Sequence, residues 1–375
     1  MKKKSVSEQP EPEYGEDYTT DDVYDDADAD AAVPAVRYEI SSYGIDFDVK
    51  GLVERLRQNK VYVPEFQRSF VWRLPGSSRF IESLLLGLPV PGIFLAKDPD
   101  SQKLFVIDGQ QRLKSLQYFY DGIFRPDPGR RFQRTFRLTD VQKQFETKRY
   151  QDLDERTRQI LDDSVIHATI VKQDAPRDDD TSIYHVYERL NSGGRLLHPQ
   201  EIRTAIFHGS LINAIRDVNG HSSWRKLFGA KNPRLKDEEL ILRFMALYEW
   251  FEAYERPMAE FLTRFAQKNR YLVGKRLDDL LGLFKRSMDI IFEASGEKAF
   301  RPERNFNAAV FDSVSYGVAK RLAADQVTSV ESIRKSFRKL MSDQAYLQAT
   351  SRSTADKAFV DRRLAAAAKA FAGAK

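Results

Sequence analysis

Leu104-Phe105-Val106-Ile107-Asp108-Gly109-Gln110-Gln111-Arg112-Leu113 reads as a buried strand, a one-glycine turn and the start of a helix. Leu104 to Ile107 are apolar, and Leu113, Leu116, Phe119 and Tyr120 recur behind them at helical spacing. Both elements turn a face inward and leave Asp108, Gln110, Gln111 and Arg112 at the junction. Gly109 permits a tight turn or a close backbone approach to a ligand, and an arginine in a first helical turn lies beside free N–H groups that favour anions. A phosphate is the natural guest. The plain structural alternative is a salt-bridged turn in which Arg112 pairs with Asp108.

Working outward, Ile93-Phe94-Leu95-Ala96 precedes this strand across a turn at Asp98-Pro99-Asp100, so the two strands are expected to form a hairpin. Upstream, Pro75-Gly76 suggests a turn, and Ser77 or Ser78 can cap a helix from Arg79 to Leu86. Before it come a short strand at Val36–Ile40, a helix from about Val49 to Asn59 and a strand at Val61–Val63. This is an α+β unit: a small mixed sheet with helices packed beside it. Phe124 to Arg137 alternates phenylalanine with Arg125, Arg130, Arg131, Arg134 and Arg137. Such a segment can stack bases and neutralise phosphates, with Arg130, Arg131 and Arg134 as the DNA-binding candidates. Its plain reading is a twisted hairpin with Phe132 and Phe136 facing the core. A strand at Val165–Val171 and helices at Ile183–Leu190 and Pro199–Phe207 complete the unit. From Leu211 nearly every segment has helical periodicity, which predicts an all-α helical domain over 216–375.

The chain has 375 residues, 42% of them hydrophobic, with 25 Phe and 16 Tyr, enough for one large or two ordinary domains. No cysteine is present, so disulfides, thiolate zinc sites and cysteine nucleophiles are excluded, and the five histidines show no metal-ligand spacing. No apolar run approaches a membrane span and no signal-peptide core follows Met1, so a cytoplasmic protein with no membrane partner is expected. The net charge of +5 divides into −8 over residues 1–36 and +13 over the rest. Residues 1–36 read as a disordered acidic tail, and the basic body suits nucleic acid or nucleotide.

Four blocks then stand in a fixed order. They are Val63-Pro64-Glu65-Phe66-Gln67-Arg68 with Trp72; Ile81-Glu82-Ser83-Leu84-Leu85-Leu86-Gly87 with Pro89 and Pro91; Ile107-Asp108-Gly109-Gln110-Gln111-Arg112-Leu113; and Glu188-Arg189-Leu190-Asn191-Ser192-Gly193-Gly194 with Glu201 and Arg203. Together they resemble the N-terminal domain of the GmrSD-type modification-dependent restriction endonucleases, a bacterial family with a ParB/sulfiredoxin-like fold. The resemblance covers roughly residues 40 to 215 and sets the domain at 37–215.

What the resemblance implies is a module that binds and hydrolyses a nucleoside triphosphate (NTP) with Mg²⁺ through D-G-Q-Q-R. In that family the module regulates DNA cleavage in anti-phage defence. Carried over by motif position, Asp108, Gln110, Gln111 and Arg112 are the catalytic candidates, with Asp108 as metal ligand. Gln67, Arg68, Gly109, Asn191, Gly193 and Gly194 are the nucleotide-binding candidates. Two departures stand out. The restriction enzymes carry an HNH-type nuclease domain in the same chain or a partner, whereas here the last histidine is His221; the expected partners are therefore DNA and a separately encoded nuclease or other effector. Lys114 replaces the family's usual threonine. Oligomeric state is not set by the sequence. The competing readings are a non-catalytic ParB-like protein that binds DNA or nucleotide and, ranked last, a ParB-like nuclease, which needs clustered carboxylates that the motif lacks.

Overall fold

The computed structural model describes residues 23–24, 39–63, 70–98, 102–127, 129, 131–175, 198–324, 329–351 and 354–374. In chain order the elements are β1 (Val23–Tyr24), β2 (Glu39–Asp48), α1 (Val49–Arg57), β3 (Val61–Tyr62), α2 (Leu74–Leu85), β4 (Ile93–Lys97), β5 (Leu104–Asp108), α3 (Gln110–Asp121), α4 (Glu155–Asp163) and β6 (Val165–Ala175). The helical part follows as α5 (Pro199–Ile206), α6 (Ser210–Val218), α7 (Ser222–Phe228), α8 (Lys236–Trp250), α9 (Met258–Lys268) and α10 (Lys275–Ser295), then β7 (Phe306–Asn307), α11 (Ala308–Ala323), α12 (Val330–Met341), α13 (Gln344–Ser351) and α14 (Lys357–Ala372).

Five strands form one mixed sheet in the order β2-β6-β4-β5-β3. The β4–β5 hairpin is present, with Lys97 opposite Leu104, while β6 runs parallel to β4 and β3 parallel to β5. The sheet is the middle of three layers. Leu95, Val106 and Ile170 face α1–α4 in one apolar core, whereas Ala96 and Ile107 face the opposite way into the core of the helical part. A strand covered on both sides should read as a continuous apolar run, and Leu104–Ile107 does. A buried ion pair fastens the layers: the Arg270 guanidinium, just beyond α9, donates to Asp98 at the hairpin end, 2.5 Å away.

Several expected boundaries shift for physical reasons. β2 runs through Gly44 to Asp48, because its whole length pairs with β6 rather than ending at the glycine. α2 begins at Leu74, so Pro75 sits in its first turn, where its missing N–H costs nothing. Ser77 and Ser78 are therefore not caps but buried helix residues; Ser77 Oγ accepts from Ser115 at 3.0 Å and Ser78 Oγ from the Thr139 N–H at 3.1 Å. α4 is a helix outside the sequence expectations. α4 is capped by Asp154, which accepts from the Thr157 N–H, and its buried Asp162 accepts from Tyr120 Oη at 2.7 Å and Tyr150 Oη at 2.8 Å.

Phe124 to Arg137 is not a regular hairpin. It is a loop closed by a single bridge between Ile123 and Thr135, which fixes no strand alternation. Phe136 is fully buried, as expected, but Phe132 is 81% exposed instead of facing the core. In the acidic N-terminal region, Val23–Tyr24 pairs in parallel with Phe306–Asn307 of the helical part. Gln67, Arg68, Arg130, Asn191, Gly193, Gly194, the strand start at Val36 and the helix expected at Ile183–Leu190 lie outside the described residues.

Candidate functional site

β5 delivers Asp108 to the end of the sheet, and α3 starts two residues later. Gly109, between them, has φ +101°, and a Cβ there would stand 2.4 Å from Cγ2 of the buried Ile93. Both conditions demand glycine. No side chain caps α3. Its first-turn N–H groups thus form the positive end of the helix dipole beside Asp108.

Arg112 is mostly buried, with 13% of its side chain exposed, and it spends its fork on three acceptors. Nη2 donates to Asp108 Oδ2 at 2.6 Å, while Nη1 donates to the carbonyls of Pro91 at 2.8 Å and Gly92 at 2.7 Å. The salt-bridged turn is real, and the guanidinium also pins the entry of β4. Asp108 engages only Oδ2 in these contacts and keeps 48% of its side chain exposed. Gln111 faces another way: its Oε1 accepts from the N–H groups of Val71 at 2.9 Å and Trp72 at 3.1 Å, holding that segment against α3. Gln110 occupies the first position of α3 and is partly exposed.

The neighbouring strand adds a pair that sequence reasoning missed. On β6, His167 Nδ1 lies 2.8 Å from Asp46 Oδ1 of β2, with both side chains more than half exposed. The imidazole lies over Gly44, where a Cβ would come within 2.6 Å of Cε1, and a Cβ on Gly92 would come within 2.8 Å of the His167 carbonyl. Gly92 thus touches Arg112 on one side and the backbone of His167 on the other. Asp46 and His167 are 121 residues apart, and only the β2–β6 register brings them together.

Taken together, the structure brings Asp108, Gly109 and Arg112 to one sheet end, turns Gln111 inward as a brace, and places Arg131 and Arg134 on the 123–135 loop that follows α3 in the chain. Among the described residues no group of three or more His, Asp or Glu is placed to hold a metal. A protein-built cage is not what Asp108 offers. One carboxylate with a disengaged oxygen does fit Mg²⁺, which commonly takes one or two carboxylates and completes its shell with water and substrate phosphate.

Residues 49–208 match the family described as GmrSD restriction endonuclease, N-terminal domain. No curated protein matches the chain. No helix among the described residues is long and apolar enough to cross a membrane. The match spans α1 to α5 and includes Asp108, Gly109 and Arg112, so residues 49–208 form a domain of the GmrSD N-terminal family.

Proposed function

We propose that this chain is a nucleotide-responsive regulatory component of a restriction-type, anti-phage defence system. In this reading it binds and hydrolyses an NTP at the Asp108–Arg112 junction, contacts DNA and controls a separately encoded nuclease or other effector in the cytoplasm. The observation that carries this reading is the half-exposed Asp108 carboxylate at the uncapped N-terminus of α3, with one oxygen held by Arg112. Helix N–H groups and a guanidinium favour phosphate oxygens, and a carboxylate beside them suits the accompanying cation. Mg²⁺, when bound with the nucleotide, would neutralise phosphate charge. Asp108 would hold it, Arg112 would face the phosphates, and Gln110 would orient water. Gln67, Arg68, Asn191, Gly193 and Gly194 join the nucleotide site by motif position. We also propose functional units at 37–215 and 216–375 behind an acidic tail over 1–36, with α5 and α6 packing into the helical core.

A second reading, binding without turnover, is favoured by one specific observation: Arg112 is already committed to two backbone carbonyls and to Asp108. Phosphate release from ATP, GTP, CTP and UTP with Mg²⁺, with and without DNA, separates the two. Turnover present in wild type and lost in a folded Asp108→Asn variant supports hydrolysis. Nucleotide binding with no release from any of the four supports the second reading.

A further inference from the structure

The loop between Ile123 and Thr135 carries an exposed aromatic side chain on a braced support. Phe132 is the most exposed large hydrophobic residue among the described residues, at 81%. Burying a phenylalanine is stabilising, and the fold forgoes that at Phe132 while gaining it at Phe124 and Phe136 on either side.

The support is built in two tiers. At its base, the Phe124 N–H donates to the Arg134 carbonyl at 2.7 Å and the Phe136 N–H to the Gly122 carbonyl at 2.9 Å. The rings of Phe124 and Phe136 meet edge to face at 5.3 Å, and Phe136 meets Phe119 of α3 at 5.2 Å. Nearer the tip, Gln133 bridges the loop to itself: its Oε1 accepts from the Asp127 N–H at 2.9 Å and its Nε2 donates to the Asp127 carbonyl at 2.5 Å. Phe132 therefore projects from a closed loop anchored in the core, not from a free strand.

Two arginines accompany it on the loop. The Arg131 guanidinium lies over the Phe132 ring at 5.6 Å, and Arg134 lies over Phe124 at 5.5 Å. Both arginines are exposed, and neither carries an ion pair among the described residues. The nearest acid in the loop, Asp127, is occupied in part by the Gly129 N–H. An apolar ring with one guanidinium over it and a second on the same loop, neither ion-paired among the described residues, matches a ligand that offers flat π-faces and regularly spaced anions. Single-stranded or locally unpaired nucleic acid has both.

We infer that Phe132, with Arg131 and Arg134, forms a nucleic-acid contact in which the ring stacks on an unpaired base and the arginines meet phosphates. The contact shares no residue with the Asp108–Arg112 junction. It is a site distinct from the nucleotide junction and does not depend on turnover there.

The test is the binding, by fluorescence anisotropy, of the full chain to a labelled single-stranded 20-mer, its duplex and heparin across a salt series. Phe132→Ala is expected to weaken single-strand binding about 10-fold with the salt slope unchanged, to leave heparin binding intact, and to be rescued by Phe132→Trp. Arg131→Gln with Arg134→Gln is expected to lower the salt slope for all three probes. Because these side chains are exposed, the variants should fold as wild type does. Phosphate release without DNA should be the same in Phe132→Ala as in wild type, whatever its rate. Single-strand affinity unchanged in Phe132→Ala, equal losses toward heparin, or no wild-type binding to either DNA would overturn the inference; the last outcome would point to a protein partner.

Discussion

Arg112 and Asp108 form one ion pair, yet the two residues should behave very differently when removed. Arg112→Ala deletes two charge-assisted hydrogen bonds, to the carbonyls of Pro91 and Gly92, together with the pair to Asp108. A hydrogen bond to a charged group contributes about 1.5–3 kcal/mol, and these two carbonyls lie where water can partly replace the donor, so about 1 kcal/mol each is appropriate. The ion pair adds under 1 kcal/mol because 48% of the Asp108 side chain is exposed. Arg112→Ala should therefore destabilise the domain by about 2–3 kcal/mol, and Asp108→Asn by no more than about 1. Urea denaturation followed by tryptophan fluorescence measures both, with Trp72 reporting on the α/β core and Trp224 on the helical core. Equal losses, or an Arg112→Ala loss below 1 kcal/mol, would refute the claim that the guanidinium clamps the start of β4. The practical consequence is that activity lost in Arg112→Ala mixes chemistry with structure. Asp108→Asn is the cleaner probe.

Two further predictions concern the helical part. Arg243 and Arg363 share Asp312 at full burial, with Arg243 Nη2 2.5 Å and Arg363 Nη2 3.3 Å from Oδ2, so Asp312→Ala strands two buried cations and should destabilise by about 3–5 kcal/mol in the same urea assay. Burial pushes the Glu238 carboxyl from the ordinary 4.5 up to about 6, against the pull of Arg216 and with a further push from Asp237. A raised carboxyl pKa means the native state holds the proton more tightly, so this contribution is complete below about pH 4.5 and is lost as pH rises through 6. Glu238→Gln should accordingly stabilise by about 2 kcal/mol at pH 7 and by almost nothing at pH 4, read as the difference between the two unfolding curves.

What the sequence disclosed depended on how local the cause was. The strand, turn and helix around Asp108 were legible because apolar run, glycine and helical spacing all act within a few residues. The β4–β5 hairpin followed from the same logic. The salt-bridged turn and the functional motif were set against each other as alternatives, whereas one geometry accommodates both, since Arg112 can pair with Asp108 and leave it half exposed. The role of Gln111 as a brace for Val71 and Trp72, the clamp from Arg112 to Gly92 and the Asp46–His167 pair all rest on residues from 20 to 121 positions apart. No periodicity reports such contacts. Phe132 departs from strand alternation for a related reason: only one bridge forms there. Without a ladder, the loop's own hydrogen bonds decide which phenylalanine turns inward. Ser77 and Ser78 lie inside α2 rather than at its cap because Pro75 starts that helix instead of making a turn.

The most direct test of the central claim is equilibrium binding of each NTP to the full chain by titration calorimetry, with and without Mg²⁺, in wild type and Asp108→Asn. Saturable binding that Mg²⁺ strengthens in wild type, with the Mg²⁺ effect lost in a folded Asp108→Asn variant, is the predicted result. Absence of binding by wild type to any of the four nucleotides, or an identical Mg²⁺ effect in both proteins, would contradict a nucleotide site at the Asp108–Arg112 junction.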